Sequence, residues 1–249
     1  MTTPCHSTVM SSTLPAGQGH AEASAANPFV FIGGCPRSGT TLLQRMLDHH
    51  PELAVVNDSH FVPRALQKTA AHLYEAACRG ETIPLTRELR DAVWNYRRFY
   101  RMSIERGQFE SIALASRTYA EFVTSLFNAV AVRAGKRLAG EKTPDYIQHT
   151  RLLWGQFPQA KIVHIVRDGR DTALSLLQWS NREKGPARLV MWERDPVATC
   201  ALWWKSFVEA NPVHGSPSRL RVIRYEDLLS QPQQELAGLC GFLNIDYHE

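Results

Sequence analysis

An apolar run, Phe29-Val-Phe-Ile32, passes through Gly33 into Gly34-Cys-Pro-Arg-Ser-Gly39-Thr40-Thr41. Thr40 to His49 follows, with Leu42, Leu43, Met46 and Leu47 at helical spacing. The frame is G-x-x-x-x-G set between a strand and a helix. A loop in that place converges its backbone N–H groups on one point at the start of a helix, which makes a cradle for an anion. A glycine turn kept only for packing is the plainer reading, and the strand and helix at its two ends argue against it.

The same alternation recurs along the chain. Leu53 to Val56 and Arg137 to Gly140 are short strand signals, and the second leads into Glu141-Lys-Thr-Pro144 and a helix over Asp145 to Trp154. Lys161 to Val166 is the clearest strand; it ends at Arg167-Asp-Gly and opens a helix through Gln178. A polar stretch from Asn181 to Asp195 reads as a mobile loop. Helix over Val197 to Ala210, strand over Leu220 to Tyr225 and helix near Gln233 to Leu243 complete the series. Between about residues 62 and 135 the pattern is helical only, with Gly80 and Gly107 as punctuation. The expected fold is α/β: a P-loop-containing three-layer arrangement with a mostly parallel central sheet, helices on both faces and one helical insertion.

A chain of 249 residues suits one such domain. Residues 1–27 have neither a basic start nor an apolar block, so they read as a disordered leader and not a secretory signal, with the domain over 28–249. No apolar run approaches the length of a spanning helix. The net charge of +4 fits a small anionic ligand and is too weak to argue for nucleic acid. The five cysteines have no C-x-x-C pair and an odd count, which favours free thiols in a reducing compartment and a cytoplasmic protein. No His, Cys and Asp cluster has the spacing of a metal site, so no metal is expected.

Within the loop, Thr40 stands where a triphosphate-binding loop carries the lysine that holds the β- and γ-phosphates. Arg37 lies inside the loop instead, and its forked, permanent charge suits a doubly oxygenated phosphosulfate. Downstream, Ile165-Val-Arg167-Asp-Gly-Arg-Asp-Thr-Ala-Leu-Ser175 places an arginine at a strand end and a serine two helical turns on, a pair able to grip a second phosphate.

Phe31-Ile-Gly-Gly-Cys-Pro-Arg-Ser-Gly-Thr-Thr-Leu42 resembles the 5'-phosphosulfate loop of sulfotransferases that use 3'-phosphoadenosine-5'-phosphosulfate (PAPS). The longer run to Arg64 is most similar to the tyrosylprotein sulfotransferase branch and its bacterial relatives. The resemblance implies sulfuryl transfer from PAPS to an acceptor hydroxyl. It assigns Arg37, Ser38, Gly39, Thr40 and Thr41 to the 5' end of the donor, Arg167 and Ser175 to its 3'-phosphate, and Tyr225 to the base. It places Lys142 at the oxygen bridging phosphate and sulfate, with Arg37 on the sulfate oxygens. Asp58 stands where the tyrosylprotein enzymes carry Glu and is the expected base; a helix N-cap beside Ser59 is its structural alternative. His60 is a neighbouring rival base at a position that is Arg in that branch, and Arg64 matches an arginine beside the acceptor. Protein tyrosine, sugar, lipid and small-molecule acceptors all stay open, as does the oligomeric state.

Relatives continue beyond the position of Glu249 into a loop that closes over the nucleotide, so the chain reads as a shortened member or a fragment. Two other readings compete: a P-loop kinase or nucleotidase, opposed by Thr40, and a non-catalytic nucleotide-binding module.

Overall fold

The computed structural model describes residues 27–179, 185–210 and 218–248. The proposed leader lies outside them except for Asn27. That residue is buried and tied to the sheet: its side chain accepts from the Ala139 N–H at 2.7 Å and donates to Asn128 Oδ1 at 2.9 Å.

Five strands form one sheet in the order β2-β3-β1-β4-β5, every neighbouring pair parallel. After β1 (Val30–Gly33) come helix α1 (Thr40–Asp48), β2 (Leu53–Asn57), and the helices α2 (Phe61–Thr69), α3 (Ala71–Cys78), α4 (Arg87–Trp94), α5 (Arg106–Ala115) and α6 (Tyr119–Arg133). Then follow β3 (Leu138–Lys142), α7 (Thr150–Gln156), β4 (Lys161–Val166), α8 (Gly169–Leu177), α9 (Pro196–Glu209), β5 (Leu220–Arg224), α10 (Tyr225–Ser230) and α11 (Pro232–Leu243). The sequence placed the end of the third strand at Gly140, but pairing carries it on through Glu141 and Lys142. A 3-10 turn, Pro144–His149, precedes α7 where a single helix from Asp145 was expected. Of the stretch read as a mobile loop, residues 181–184 lie outside the described residues, and Pro186–Arg188 and Val190–Glu193 form two 3-10 turns.

Alternation along the strands sorts the core into two layers. Val30 and Ile32 of β1 face one side with Leu53, Val55, Val163 and Ile165, and are covered by Leu43 and Leu47 of α1 and Leu239 and Leu243 of α11. Phe31, Ala54, Val56, Ala139 and Ile162 face the other side, toward the helical segment and α7 to α9. Phe31 is the joint: its ring lies edge-on to Tyr146 at 5.4 Å and to Phe127 at 6.3 Å. From there an aromatic chain, Phe127 to Phe61 to Phe99 to Phe109 to Phe122, forms the interior of the insertion. The insertion is therefore one wall of the main core as well as a cover.

Parallel pairing in register brings all five strand ends to one edge. Ile32 stands beside Lys142, Asn57 beside Lys142 on the other flank, Gly33 beside His164 and Val166 beside Arg224. The residues that leave these ends, Gly34, Asp58, Thr143, Arg167 and Tyr225, emerge together, where ligands of open α/β sheets bind.

Candidate functional site

The glycine loop needs its glycines. Gly39, the N-cap of α1, has φ +89°, and a Cβ there would sit 2.3 Å from the Tyr225 ring. Gly34 has φ +153° and passes so close to β4 that a Cβ would meet the Ile165 carbonyl at 2.3 Å. No side chain caps α1, so its first N–H groups face the loop. Ser38 is buried with its Oγ unpartnered, as is Arg167 Nε. These are donors awaiting an acceptor, and they fit an anionic nucleotide.

Arg37 projects from the loop with φ +75° and donates from Nε to Ser175 Oγ at 2.9 Å. The Arg37 carbonyl accepts from Arg167 at 3.2 Å, and the Arg167 guanidinium lies 4.7 Å above the Tyr225 ring. The two anion grips read from sequence are therefore in contact, linked through Arg37. Arg167 also reaches Asp171 at 3.6 Å, while Asp168 caps α8 and pairs with Arg170. Trp204 of α9 donates to the Arg167 carbonyl at 2.9 Å, and Glu226 accepts from the Asp168 N–H at 2.8 Å, so both flanking elements hold this turn. Tyr225 opens α10 and does not end β5, which turns its ring toward Gly39.

On the other side of Arg37 lies a cleft of about 730 Å³. Arg37, Thr40, Thr41, Asp58, His60, Arg64 and Lys142 all line it; Arg167, Ser175 and Tyr225 adjoin it through Arg37. Lys142, last residue of β3, is only 2% exposed and donates to Asp58 Oδ1 at 3.1 Å. Burial pulls the Lys142 ammonium below the ordinary lysine range, and Asp58 opposes that shift. The Asp58 carboxylate turns to Lys142 and to Arg98, 3.5 Å away, and not to a helix N-terminus, so it is no N-cap.

Asp58 and His60 both adopt left-handed backbone, each at φ +61°. The buried carboxylate of Glu141 holds that turn. Its Oε1 accepts from the Ser59 N–H at 2.7 Å, the Ser59 hydroxyl at 2.6 Å, the His60 N–H at 2.9 Å and the Thr143 hydroxyl at 2.7 Å. Its Oε2 accepts from the Tyr146 hydroxyl at 2.9 Å. Strain at the two site residues on either side of Ser59 persists because a neighbour over-determines it.

Glu141, Arg98, Asp145 and Trp204 were not singled out from sequence. Glu141 carries a signal in hindsight, a carboxylate within a buried strand next to a site lysine. The other three had none; they reach the site from a helical turn, a 3-10 turn and α9, brought there by packing. An aromatic wall of the cleft, Trp179, Trp203 and Phe207, likewise comes from α8's end and α9, with Trp203 and Phe207 stacked at 6.2 Å.

Among known proteins, the chain is 25% identical over 229 residues to protein-tyrosine sulfotransferase A of Caenorhabditis elegans, covering 90% of this chain and 51% of that protein. It is 23% identical over 227 residues to protein-tyrosine sulfotransferase 2 of Gallus gallus, covering 89% and 52%. The chain thus spans about half the length of the curated relatives it matches. In fold it is similar to the sulfotransferase domain from the Synechococcus PCC 7002 olefin synthase, with a TM-score of 0.56 and 24% identity over 88% of this chain and 74% of that one. The sulfotransferase domain from the curacin biosynthetic pathway gives a TM-score of 0.55 and 22% identity with the same coverage. Residues 28–249 match the Sulfotransferase family, and the chain belongs to it.

Proposed function

We propose that this chain transfers a sulfuryl group from PAPS to an acceptor hydroxyl. The observation that carries the reading is the contact between Arg37 and Ser175 at 2.9 Å, which joins the loop that would hold the 5' end to the pair that would hold the 3'-phosphate, beside a cleft containing Lys142. Ser38, Thr40, Thr41 and the α1 N-terminus would hold the 5'-phosphate, Arg167 and Ser175 the 3'-phosphate, and Tyr225, fixed beside Gly39 and under Arg167, would flank the base. Bound there, PAPS supplies an activated sulfuryl group.

The protein's part is positioning and charge. The acceptor oxygen forms a bond to sulfur as the bond from sulfur to the phosphate oxygen breaks. Lys142, little hydrated, stabilises charge that develops on the departing oxygen, and Arg37 that on the sulfate oxygens. The acceptor proton passes to the pair Asp58 and His60, whose nearest atoms are 3.7 Å apart. The named acceptor of the curated relatives, protein tyrosine, is one of four classes that fit this reading, with sugar, lipid and small molecule.

Calorimetric titration with 3'-phosphoadenosine-5'-phosphate (PAP), alongside transfer from labelled PAPS, tests the assignment. Arg37→Ala and Ser175→Ala are each expected to weaken PAP binding by about 1–3 kcal/mol, the worth of a lost charge-assisted hydrogen bond. Lys142→Ala should lower turnover while leaving PAP affinity within a few-fold. Unchanged affinity in both of the first two variants, or magnesium-dependent ATP turnover, would overturn the donor assignment.

A further inference from the structure

Asp58 and His60 face the cleft together, and their surroundings separate their roles. Each oxygen of Asp58 already faces a cation, Lys142 at 3.1 Å on Oδ1 and Arg98 at 3.5 Å on Oδ2. A proton placed on this carboxylate would break those pairs and leave the buried Lys142 ammonium without its counterion, which is costly.

His60 is arranged differently. Its Nδ1 lies 3.1 Å from Oδ1 of Asp145, whose side chain is 16% exposed. Asp145 Oδ2 accepts from Arg64 at 2.5 Å, while Oδ1 is buried with no hydrogen-bond partner and has His60 Nδ1 beside it. Burial alone would raise the Asp145 carboxyl, but His60, Arg64 and His149 outweigh it and hold it well below the usual carboxylate range. Asp145 is thus a fixed anion. It sits on the turn Pro144–His149, anchored by the neighbouring Tyr146, which is 1% exposed and bound to Glu141. The same Glu141 pins the His60 N–H.

We propose that His60, oriented by Asp145, takes the acceptor proton, and that Asp58 serves to hold Lys142 and Arg98. The proposal rests on the sulfotransferase reading above. With a proton drawn to Nδ1 by the unpartnered Oδ1 of Asp145, Nε2 keeps its lone pair, which is the tautomer a base requires. The acceptor O–H proton passes to Nε2 while the oxygen bonds to sulfur. The imidazolium so formed lies between two carboxylates, Asp145 at Nδ1 and Asp58 near Nε2, and returns its proton to water after product leaves. Asp145 is a positioning residue; His60 is the catalytic one.

Asp145→Asn is the discriminating variant. Arg64 donates only, so it claims the amide oxygen and turns the amide N–H group toward His60 Nδ1, which drives the proton to Nε2. The 15N NMR spectrum of His60 in the wild-type protein with PAP should show Nδ1 protonated, and in Asp145→Asn should move toward the Nε2-protonated form. In transfer from labelled PAPS to unsubstituted phenol, which keeps its proton at neutral pH, His60→Gly should lower kcat by about 10²-fold or more, with PAP affinity within twofold and activity partly restored by added imidazole. Asp145→Asn should lower kcat with the donor KM unchanged, and Asp145→Glu should recover part of it. A wild-type imidazole protonated at Nε2, or a His60→Gly protein within threefold of wild-type kcat, would overturn the proposal. PAP failing to bind the wild-type protein sinks the donor reading instead, a result the calorimetric titration reads separately.

Discussion

Glu141 shows how one side chain sets the shape of the site without facing the cleft. Its two oxygens accept from Ser59, His60, Thr143 and Tyr146, four residues on both sides of the strand end. Glu141→Gln replaces one acceptor oxygen with a donor, so at least one of these groups is left facing another donor. The variant should lose about 3 kcal/mol of stability, since hydrogen bonds to a buried charge are the strong ones, and urea midpoints would measure it. Tyr146→Phe removes one bond only and should cost about 1 kcal/mol. Activity of Glu141→Gln should fall further than its stability, because the turn carrying Asp58 and His60 would relax from φ +61°. A Glu141→Gln protein as stable as wild type would show that the turn holds itself.

At the scale of an element, β4 carries a buried polar group the site does not use. His164 is 1% exposed, shares the face of Ile162 and has both ring nitrogens without a hydrogen-bond partner. Burial pushes its imidazole down to about 4 from the ordinary 6.5. Between those values the unfolded chain binds a proton that the folded chain refuses. Stability is therefore full above pH 6.5 and falls as the pH drops toward 4, by on the order of 3 kcal/mol. His149 adds to the loss in the same direction, burial holding it at about 4 as well. Urea unfolding at a series of pH values should show this slope in the wild type and a shallower one in His164→Leu, which removes the titration and leaves no partner unpaired. An equal slope in the variant would assign the acid sensitivity elsewhere.

For the whole molecule, Phe31 decides whether the sheet and the helical insertion behave as one body. Its ring meets Phe127 of α6, Tyr146 of the site turn and Phe157 after α7, at 6.3, 5.4 and 6.0 Å. Phe31→Ala should cost about 3–5 kcal/mol, and because the cavity opens on all three, near-UV circular dichroism and activity should be lost in one transition. Separate transitions for the two would show that the insertion is independent. The cleft itself depends on this joint, since Arg98 comes from the insertion and Lys142 from the sheet.

Much of this was legible in the chain. The strand, glycine loop and helix from Phe29 to His49, the strand from Lys161 to Val166 and the helical character of residues 62–135 follow from local patterns, because period and turn chemistry act over a few residues. Arg37 was marked by its place in the glycine loop, and Lys142, Asp58 and His60 by the resemblance to sulfotransferases; parallel pairing takes every strand end to one edge. The boundary at Gly140 was misread because Glu141 and Lys142 are charged, and only a partner from Ser59 or Asp58, far off in sequence, makes their burial tolerable. Asp145, Arg98 and the contact of Arg37 with Ser175 were beyond reach for the same reason. Each is a pairing between side chains from separate elements, whose meeting depends on how helices settle on a sheet and not on any run of neighbouring residues.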